Sequence, residues 1–351
     1  MVASILHIAP SHVDLRPGQG SHKDVAARRD YLMATGARYV YVSATGDEPS
    51  ELDRLPGGFV ASHVLIEYSY LHRVAREARR RFPDAFIAVR AHNIEPLHEW
   101  DLSEWSTPIV GLRNLYGIFR LLGCDWRTAR TVDHIYVIAP NEARSYWRWL
   151  GVGGRVSWLP YISPPELRQA AGSAARNVIA CLPGGARSQR TIDLVNRFVR
   201  FAVAARGAGW SERFVITGDI APWGIEVPPT VERAGYVDDL PSFYRSVKAV
   251  AVLSPLGYGF KTTIADAIWS GAKALVHPAI GAELPEELVP YCVSVRSPCL
   301  SELERTRQAL RAAPSRDGAC DALMRRFERE MRRFIAGGVL AEPAPGSRTQ
   351  A

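Results

Sequence analysis

Short apolar runs alternate with longer amphipathic stretches along most of this chain. Runs at 4–8, 39–42, 64–66, 86–89, 135–139 and 156–160 are continuous, rich in β-branched residues and too short for helices, so they read as buried strands. Helical patterns follow at 24–35, 70–82 and 142–150, with Asn141 placed to cap the last. Pro160, Pro164 and Pro165 then end the periodicity, and a linker over 160–175 is expected. A second series begins at 177–181 and passes through strands at 214–218, 231–234, 249–253, 274–276 and 291–295 before helices at 301–313 and 317–335. Strands alternating with helices predict parallel sheets. The expectation is an α/β protein of two Rossmann-like domains, an N-terminal one over 1–160 and a C-terminal one over 161–336. A tail rich in Pro, Gly and Ser at 337–351 reads as disordered.

The strand at 249–253 runs into SPLGYGFKTTIADAIWSG. Pro255, Gly257 and Gly259 let the backbone bend and expose its N–H groups, and Lys261, Thr262 and Thr263 fall where the next helix begins. Free N–H groups and the helix dipole favour an anion there, so the turn suits a phosphate. Such turns also occur in α/β proteins that bind nothing, and the pattern alone leaves both readings open.

Two other turns lie at the carboxyl ends of strands, where open α/β sheets bind ligands. Gly18, Gly20 and His22 follow the first strand, and His92, Asn93 and Glu95 follow the fourth. Imidazole, amide and carboxylate groups together can donate to and accept from several hydroxyls, which suits a polyhydroxylated ligand. A core histidine satisfied by backbone is the plainer account of His92.

Composition narrows the field. Hydrophobic residues make up 47% and charged residues 23%, an ordinary globular balance. The five cysteines include no CxxC pair, which argues against a disulfide framework and a zinc site and fits a reducing compartment. No apolar run reaches the roughly 18 residues of a spanning helix, and the N-terminus lacks a basic leader, so a cytoplasmic location is expected. A net charge of +7 favours anionic partners. The aromatic and basic spacing of an RNA-binding module is absent, so nucleic acid is not an expected partner.

Arginine is concentrated in two places. Arg73, Arg76, Arg79, Arg80 and Arg81 fall in the helix at 70–82 and read as a solvated basic face. Arg113, Arg120, Arg127 and Arg130, spaced by seven, seven and three, fall near one helical face of 108–131 among Ile118, Phe119, Leu121, Leu122 and Trp126. An interfacial membrane helix, the floor of a lipid-acceptor site and a core helix with a wet edge all fit that segment.

Gly235-Tyr236-Val237, Asp239-Leu240, Phe243-Tyr244, the strand ending at Pro255, GYGFKTTIADAIWSGAKALV and Ile280-Gly281-Ala282-Glu283 follow in an order and spacing that resemble the C-terminal half of family 4 glycosyltransferases. The resemblance covers 231–286 and is weaker in the N-terminal half, where RPGQGSH and RAHNIE stand at the corresponding turns. It implies the GT-B fold, two Rossmann-like domains whose parallel sheets face a central cleft. It also implies transfer of a sugar, with retention, from a nucleotide-diphosphate sugar to a glycan, lipid-linked or small-molecule acceptor. No metal or other cofactor is implied, and peripheral contact with the inner face of a membrane through 108–131 is compatible with it.

By the same resemblance, Gly257, Gly259, Phe260, Lys261, Thr262 and Thr263 would meet the diphosphate and Asp266 the ribose. Lys261 would offset charge on the leaving group. Gly184, Gly185, Arg187 and Arg190 would form a second phosphate-binding turn, and Tyr236 and Val237 would meet the base through their backbones. His92 would face the donor sugar, with Gly18, Gly20, His22, Asn93 and Glu95 on the acceptor side. The family's Glu-x7-Glu pair is replaced here by Tyr258 and Asp266. Aspartate is shorter by one C–C bond, ~1.5 Å, but keeps two acceptor oxygens; Tyr258 cannot act as a pure acceptor. That departure keeps a second function in view, a catalytically inactive GT-B protein that binds or chaperones a partner. A third is a nucleotide-sugar epimerase or phosphorylase on the same fold.

Overall fold

The computed structural model describes residues 2–15, 19–102, 108–169, 176–184, 187–255, 260–297, 299–312 and 317–338. Gly18, Gly185, Gly257, Tyr258 and Gly259, and the tail beyond residue 338, lie outside the described residues.

The first half folds into a parallel sheet of β1 (Ser4–Pro10), β2 (Arg38–Ala44), β3 (His63–Glu67), β4 (Phe86–Ala91), β5 (His134–Val137) and β6 (Val156–Trp158), ordered β2-β1-β3-β4-β5-β6. The second half forms another from β7 (Val178–Cys181), β8 (Arg213–Thr217), β9 (Val231–Gly235), β10 (Val247–Val252), β11 (Lys273–Val276) and β12 (Cys292–Ser294), ordered β12-β11-β10-β7-β8-β9. Central strands such as β4, β5 and β7 are buried along almost their whole length, so their apolar runs are continuous rather than alternating. The edge strand β9 exposes successive residues, and β2 is exposed at Arg38 and half-buried over Tyr39–Tyr41.

In the second sheet β7 and β10 are hydrogen-bonded neighbours, although the chain visits β8 and β9 between them. The strand order therefore reverses between β7 and β10, the kind of switch point beyond whose strand ends open α/β sheets form a ligand crevice. The helices that follow are Gln189–Gly207 after β7 and Thr262–Trp269 after β10.

One buried cluster runs from Ile5 and Ile66 through Tyr161 to Val250, Ile264 and Phe334, so the two halves share apolar packing. A second cluster around Phe198, Phe201, Trp210 and Phe214 lies behind the second sheet alone. Helix Asp317–Ile335 closes the second series in sequence but packs on the first sheet. Phe327 meets Tyr31 edge-on at 5.6 Å, and Phe334 meets His63 at 5.5 Å and Phe86 at 6.0 Å.

Three local expectations change. The helix over 142–150 is two short helices, Pro140–Arg144 and Tyr146–Trp149, and Asn141 does not cap it. Pro140 takes the first helical position, where its fixed φ suits the start, and Asn141 instead donates to the Ala282 carbonyl at 3.2 Å and to Glu283 at 3.1 Å across the cleft. The first long helix, Gly20–Ala34, begins four residues earlier than the apolar pattern shows, because its opening turn is polar. Finally, the start of the expected linker is core: Tyr161 is buried, and its hydroxyl donates to Asp266 at 2.9 Å.

Candidate functional site

At the carboxyl ends of β1, β3 and β4 lies a charged network with no solvent exposure. Glu67, the last residue of β3, accepts from His7 at 2.7 Å and Arg28 Nε at 2.8 Å on one oxygen, and from Arg28 Nη2 at 2.7 Å and His92 at 2.8 Å on the other. Both oxygens are thus fully used. With Nε2 of His7 protonated toward Glu67, its Nδ1 accepts from the Tyr39 hydroxyl at 2.8 Å. Arg28 also pairs with Asp24 at 2.8 Å, and Arg90 donates to Asp24 at 3.0 Å and to the carbonyls of Val137 and Leu159.

Burial alone would raise the carboxyl pKa values. Burial is the largest single influence, but Arg28 with His7 and His92 together outweigh it at Glu67, which is held well below its ordinary value, and Arg28, Arg90 and His92 together outweigh it at Asp24, which is lowered too. His92 is lowered by burial against the pull of Glu67 and Asp24. Its ring stacks on Tyr68 with centroids 4.2 Å apart and an 11° tilt. Tyr68 has φ 75°, a left-handed conformation that costs a bulky residue energy and recurs where the surroundings enforce a functional geometry.

Beside this network stands a second group of acids that is not matched. Glu95, Asp125 and Glu142 are buried, and one oxygen of Glu95, one of Asp125 and both of Glu142 lack a protein partner. Burial, then Asp125 and Glu142, raises Glu95 to about 8. Burial raises Glu142 to about 8 as well, although Arg90 and Lys261 oppose it, and raises Asp125 to about 6. Asn93 hydrogen-bonds Glu95, and Tyr146 donates to Asp125 at 2.6 Å.

The second sheet presents cations to this region. Lys261 is the N-cap residue of helix Thr262–Trp269, and Arg190 lies in the first turn of helix Gln189–Gly207, which Ser188 and Thr191 cap reciprocally. Both approach His98 of helix Glu95–Leu102 from across the cleft. Burial chiefly, with help from these two cations, lowers His98 to about 4. The halves touch closely at Gly20, where a Cβ would run into the Thr262 side chain; only glycine fits. Lys23 donates to Asp266 at 2.8 Å, and Asp266, 1% exposed, also accepts from Tyr161.

Two parallel sheets thus face each other across a cleft, strand ends inward, with the switch point of the second sheet lining it. Solved structures with this arrangement include sucrose-phosphate synthase from Thermosynechococcus elongatus, which superposes with a TM-score of 0.59 at 12% identity over 95% of this chain and 96% of that one. The fold is GT-B. Anabaena HepE in complex with UDP and glucose matches the same GT-B frame with a TM-score of 0.55 at 13% identity over 96% of this chain and 99% of that one. The catalytic domain of starch synthase IV from Arabidopsis thaliana, bound to ADP and acarbose, does so with 0.55 at 10% identity over 96% and 100%. No family model and no curated protein matches the sequence.

Within the GT-B cleft the structure brings together most of the described candidates. His92, Asn93 and Glu95 lie on the first half, with Gly20 and His22, whose Nδ1 hydrogen-bonds the Val13 carbonyl at 3.0 Å. Arg190, Lys261, Thr262 and Thr263 lie on the second, and Phe260 reaches Tyr161 with ring centroids 6.1 Å apart. Gly184 has φ 82°, Arg187 is exposed, and Tyr236 stands 71% exposed after β9, with Val237 beside it. Asp266 is the departure: its oxygens bridge Lys23 and Tyr161 instead of facing open space. Glu67, Asp24, Arg28, Glu142 and Asp125 were not anticipated. A carboxylate ending the apolar run at 64–66 was a signal for Glu67; Asp125 and Glu142 are remote in sequence and offered none.

The two arginine-rich helices also differ. In His72–Arg81, Arg73 pairs with Glu48, Arg79 with Asp133, and Arg80 and Arg81 with Glu77, so the basic face is largely neutralised. Pro108–Thr131 is one helix that buries Asn114, Cys124, Asp125 and Thr128 and exposes Leu112, Tyr116, Phe119 and Trp126 beside Arg113, Arg120 and Arg127. No helix among the described residues is long and apolar enough to cross a membrane.

Proposed function

We propose that this protein is a glycosyltransferase that moves a sugar from a nucleotide-diphosphate sugar to an acceptor hydroxyl, with retention and without a metal. The observation that carries this reading is the convergence of Lys261 and Arg190, each at a helix start by the switch point, opposite His92 and the acidic wall of the other half. Helix N-termini and two cations suit a diphosphate and the charge that grows on it as the sugar leaves. His92, held in place by Glu67 and Tyr68, faces the sugar, and Asn93 and Glu95 meet acceptor hydroxyls. The acceptor is a glycan, a lipid-linked sugar or a small molecule. Asp266 orients the two halves through Lys23 and reaches the ribose only when that pair opens.

The bridge at Asp266 equally favours a GT-B protein that binds nucleotide without turnover, and one experiment separates the two. UDP, found with HepE, and ADP, found with starch synthase IV, are the first nucleotides to test. A ligand bound only by the folded state at a hundredfold its Kd adds about 2.7 kcal/mol of stability, so thermal melting with UDP, ADP and GDP should show a clear rise. Lys261→Ala should remove most of it. His92→Ala should keep it and lower sugar transfer. No rise with any nucleotide would overturn the reading, and a rise without consumption of any donor sugar would favour the inactive alternative.

The exposed side of Pro108–Thr131 supports peripheral contact with an anionic membrane surface. Its arginines have no carboxylate within ion-pair distance among the described residues, and Arg130 lies 3.9 Å over the Trp126 ring. In liposome flotation the protein should rise with vesicles containing an anionic lipid and stay down with zwitterionic ones, and Arg113→Gln with Arg120→Gln and Arg127→Gln should abolish the difference. Equal flotation by wild type and triple variant would remove this contact from the reading.

A further inference from the structure

Helix Asp317–Ile335 turns Leu323, Phe327, Met331 and Phe334 into the core and carries five arginines around its other side. Those arginines, Arg325, Arg326, Arg329, Arg332 and Arg333, line a cavity of about 1130 Å³ together with Arg144. The remaining walls come from Val156–Trp158 and from the loop that follows helix Pro278–Gly281, so the cavity is built by both halves. Asn141, which bridges to Ala282 and Glu283, forms part of the lining. The next residue, Glu142, feels the charge of Lys261. The cavity therefore adjoins the cleft and is separate from the donor-side cations.

Charge in this cavity is incompletely matched. Glu328 pairs with Arg332 at 3.5 Å and Glu330 with Arg329 at 3.5 Å. Glu286 and Glu287 are the other lining carboxylates, which leaves six arginines against four acids. Among the described residues no carboxylate lies within ion-pair distance of Arg144, Arg325, Arg326 or Arg333. Nε of Arg333 is buried without a protein partner, and Arg326 lies 4.4 Å over the Trp158 ring. Guanidinium groups gathered in a partly enclosed space repel one another unless an anion joins them, and their planar donor forks match carboxylate and phosphate oxygens.

We propose that this cavity binds the carboxylate or phosphate groups of an anionic acceptor and holds its chain alongside the cleft. The word acceptor rests on the glycosyltransferase reading; the anion site does not.

Isothermal titration of the whole chain with tri-galacturonate, inorganic tripolyphosphate and maltotriose tests it. At least one acidic probe should bind wild type and Lys261→Ala equally, and at least tenfold more weakly to the double variant Arg144→Gln with Arg325→Gln. Both substituted side chains are exposed and outside any ion pair, so the variant should melt like wild type. Maltotriose should give no binding heat. Binding of tri-galacturonate alone assigns carboxylates; binding of tripolyphosphate alone assigns phosphates. The proposal is overturned if neither acidic probe binds, if maltotriose binds as well as they do, or if binding is lost in Lys261→Ala and kept in the double variant. Nucleotide-dependent melting without acidic-probe binding sinks this inference alone. Probe binding without any nucleotide response leaves the anion site standing and sinks the donor reading.

Discussion

The two sets of strand ends face one cleft and treat charge in opposite ways. On the first half, Asp24, Arg28, Glu67 and Arg90 are fully buried and satisfy one another, with His7 and His92 completing the set. On the second, Arg190 and Lys261 are only partly buried and stand at helix starts, where the local dipole adds to their positive field. The difference is between opposite charges paired inside the fold and like charges gathered at two helix starts. A closed network fixes the orientation of His92 within the fold, whereas positive charge gathered at helix starts makes a field that favours an anion.

The sharpest way to break this contrast is at Glu67. Glu67→Ala leaves Arg28, His7 and His92 around an empty site, and removing one member of a buried ion pair typically costs about 3–5 kcal/mol. Urea denaturation should show a loss of that order. Lys261→Ala should change stability by less than about 0.5 kcal/mol, as expected for a partly exposed side chain outside the core. Acid titration carries the same sign. Glu67 and Asp24 have lowered pKa values in the fold, so the stability they supply is present above their unfolded values and is lost as the pH falls through the folded ones. Glu67→Ala should therefore flatten the acid limb of the stability profile. A normal urea midpoint for Glu67→Ala beside a lowered one for Lys261→Ala would reverse the comparison.

How much of this was legible in the sequence depends on the distance over which each feature is encoded. The central strands were visible as short apolar runs, because in a parallel sheet they are buried on both sides, whereas the edge strand β9, VERAG, is not apolar. The helix start at Thr262 and the polar residues after β4 were visible because a helix start and a polar cluster at a strand end are also local signals. The packing of Asp317–Ile335 against the first sheet was not, since its apolar stripe fits either sheet equally well in pattern. The bridge from Lys23 to Asp266 spans 243 positions and joins two residues that each look ordinary in their own helix. The acidic wall is the extreme case: Glu95, Asp125 and Glu142 come from three helices, and although Glu95 stood out at a strand end, only shared burial marks the other two.

That wall sharpens the comparison, because the first half treats unmatched acids by withholding their charge. Glu95 and Glu142 rise from an ordinary value of 4.5 to about 8. Below pH 4.5 both are protonated in the folded and unfolded chain alike, and they have no effect on stability. Between that point and about pH 8 the unfolded chain ionises while the fold keeps them neutral, so stability falls as the pH rises, and the penalty levels off above 8. Glutamine has the shape of a protonated glutamate and no charge to bury. Glu142→Gln should raise stability by up to about 5 kcal/mol at pH 9 and leave it unchanged near pH 4, since each pKa unit between 4.5 and about 8 corresponds to about 1.4 kcal/mol. It should also bring Glu95 down, because one of the charges that repels it is gone. Urea midpoints at pH 4, 6.5 and 9 measure all of this. If Glu142→Gln and wild type coincide at every pH, these acids ionise like surface groups. The first half would then no longer withhold the charge of its acids, and that side of the contrast would be lost.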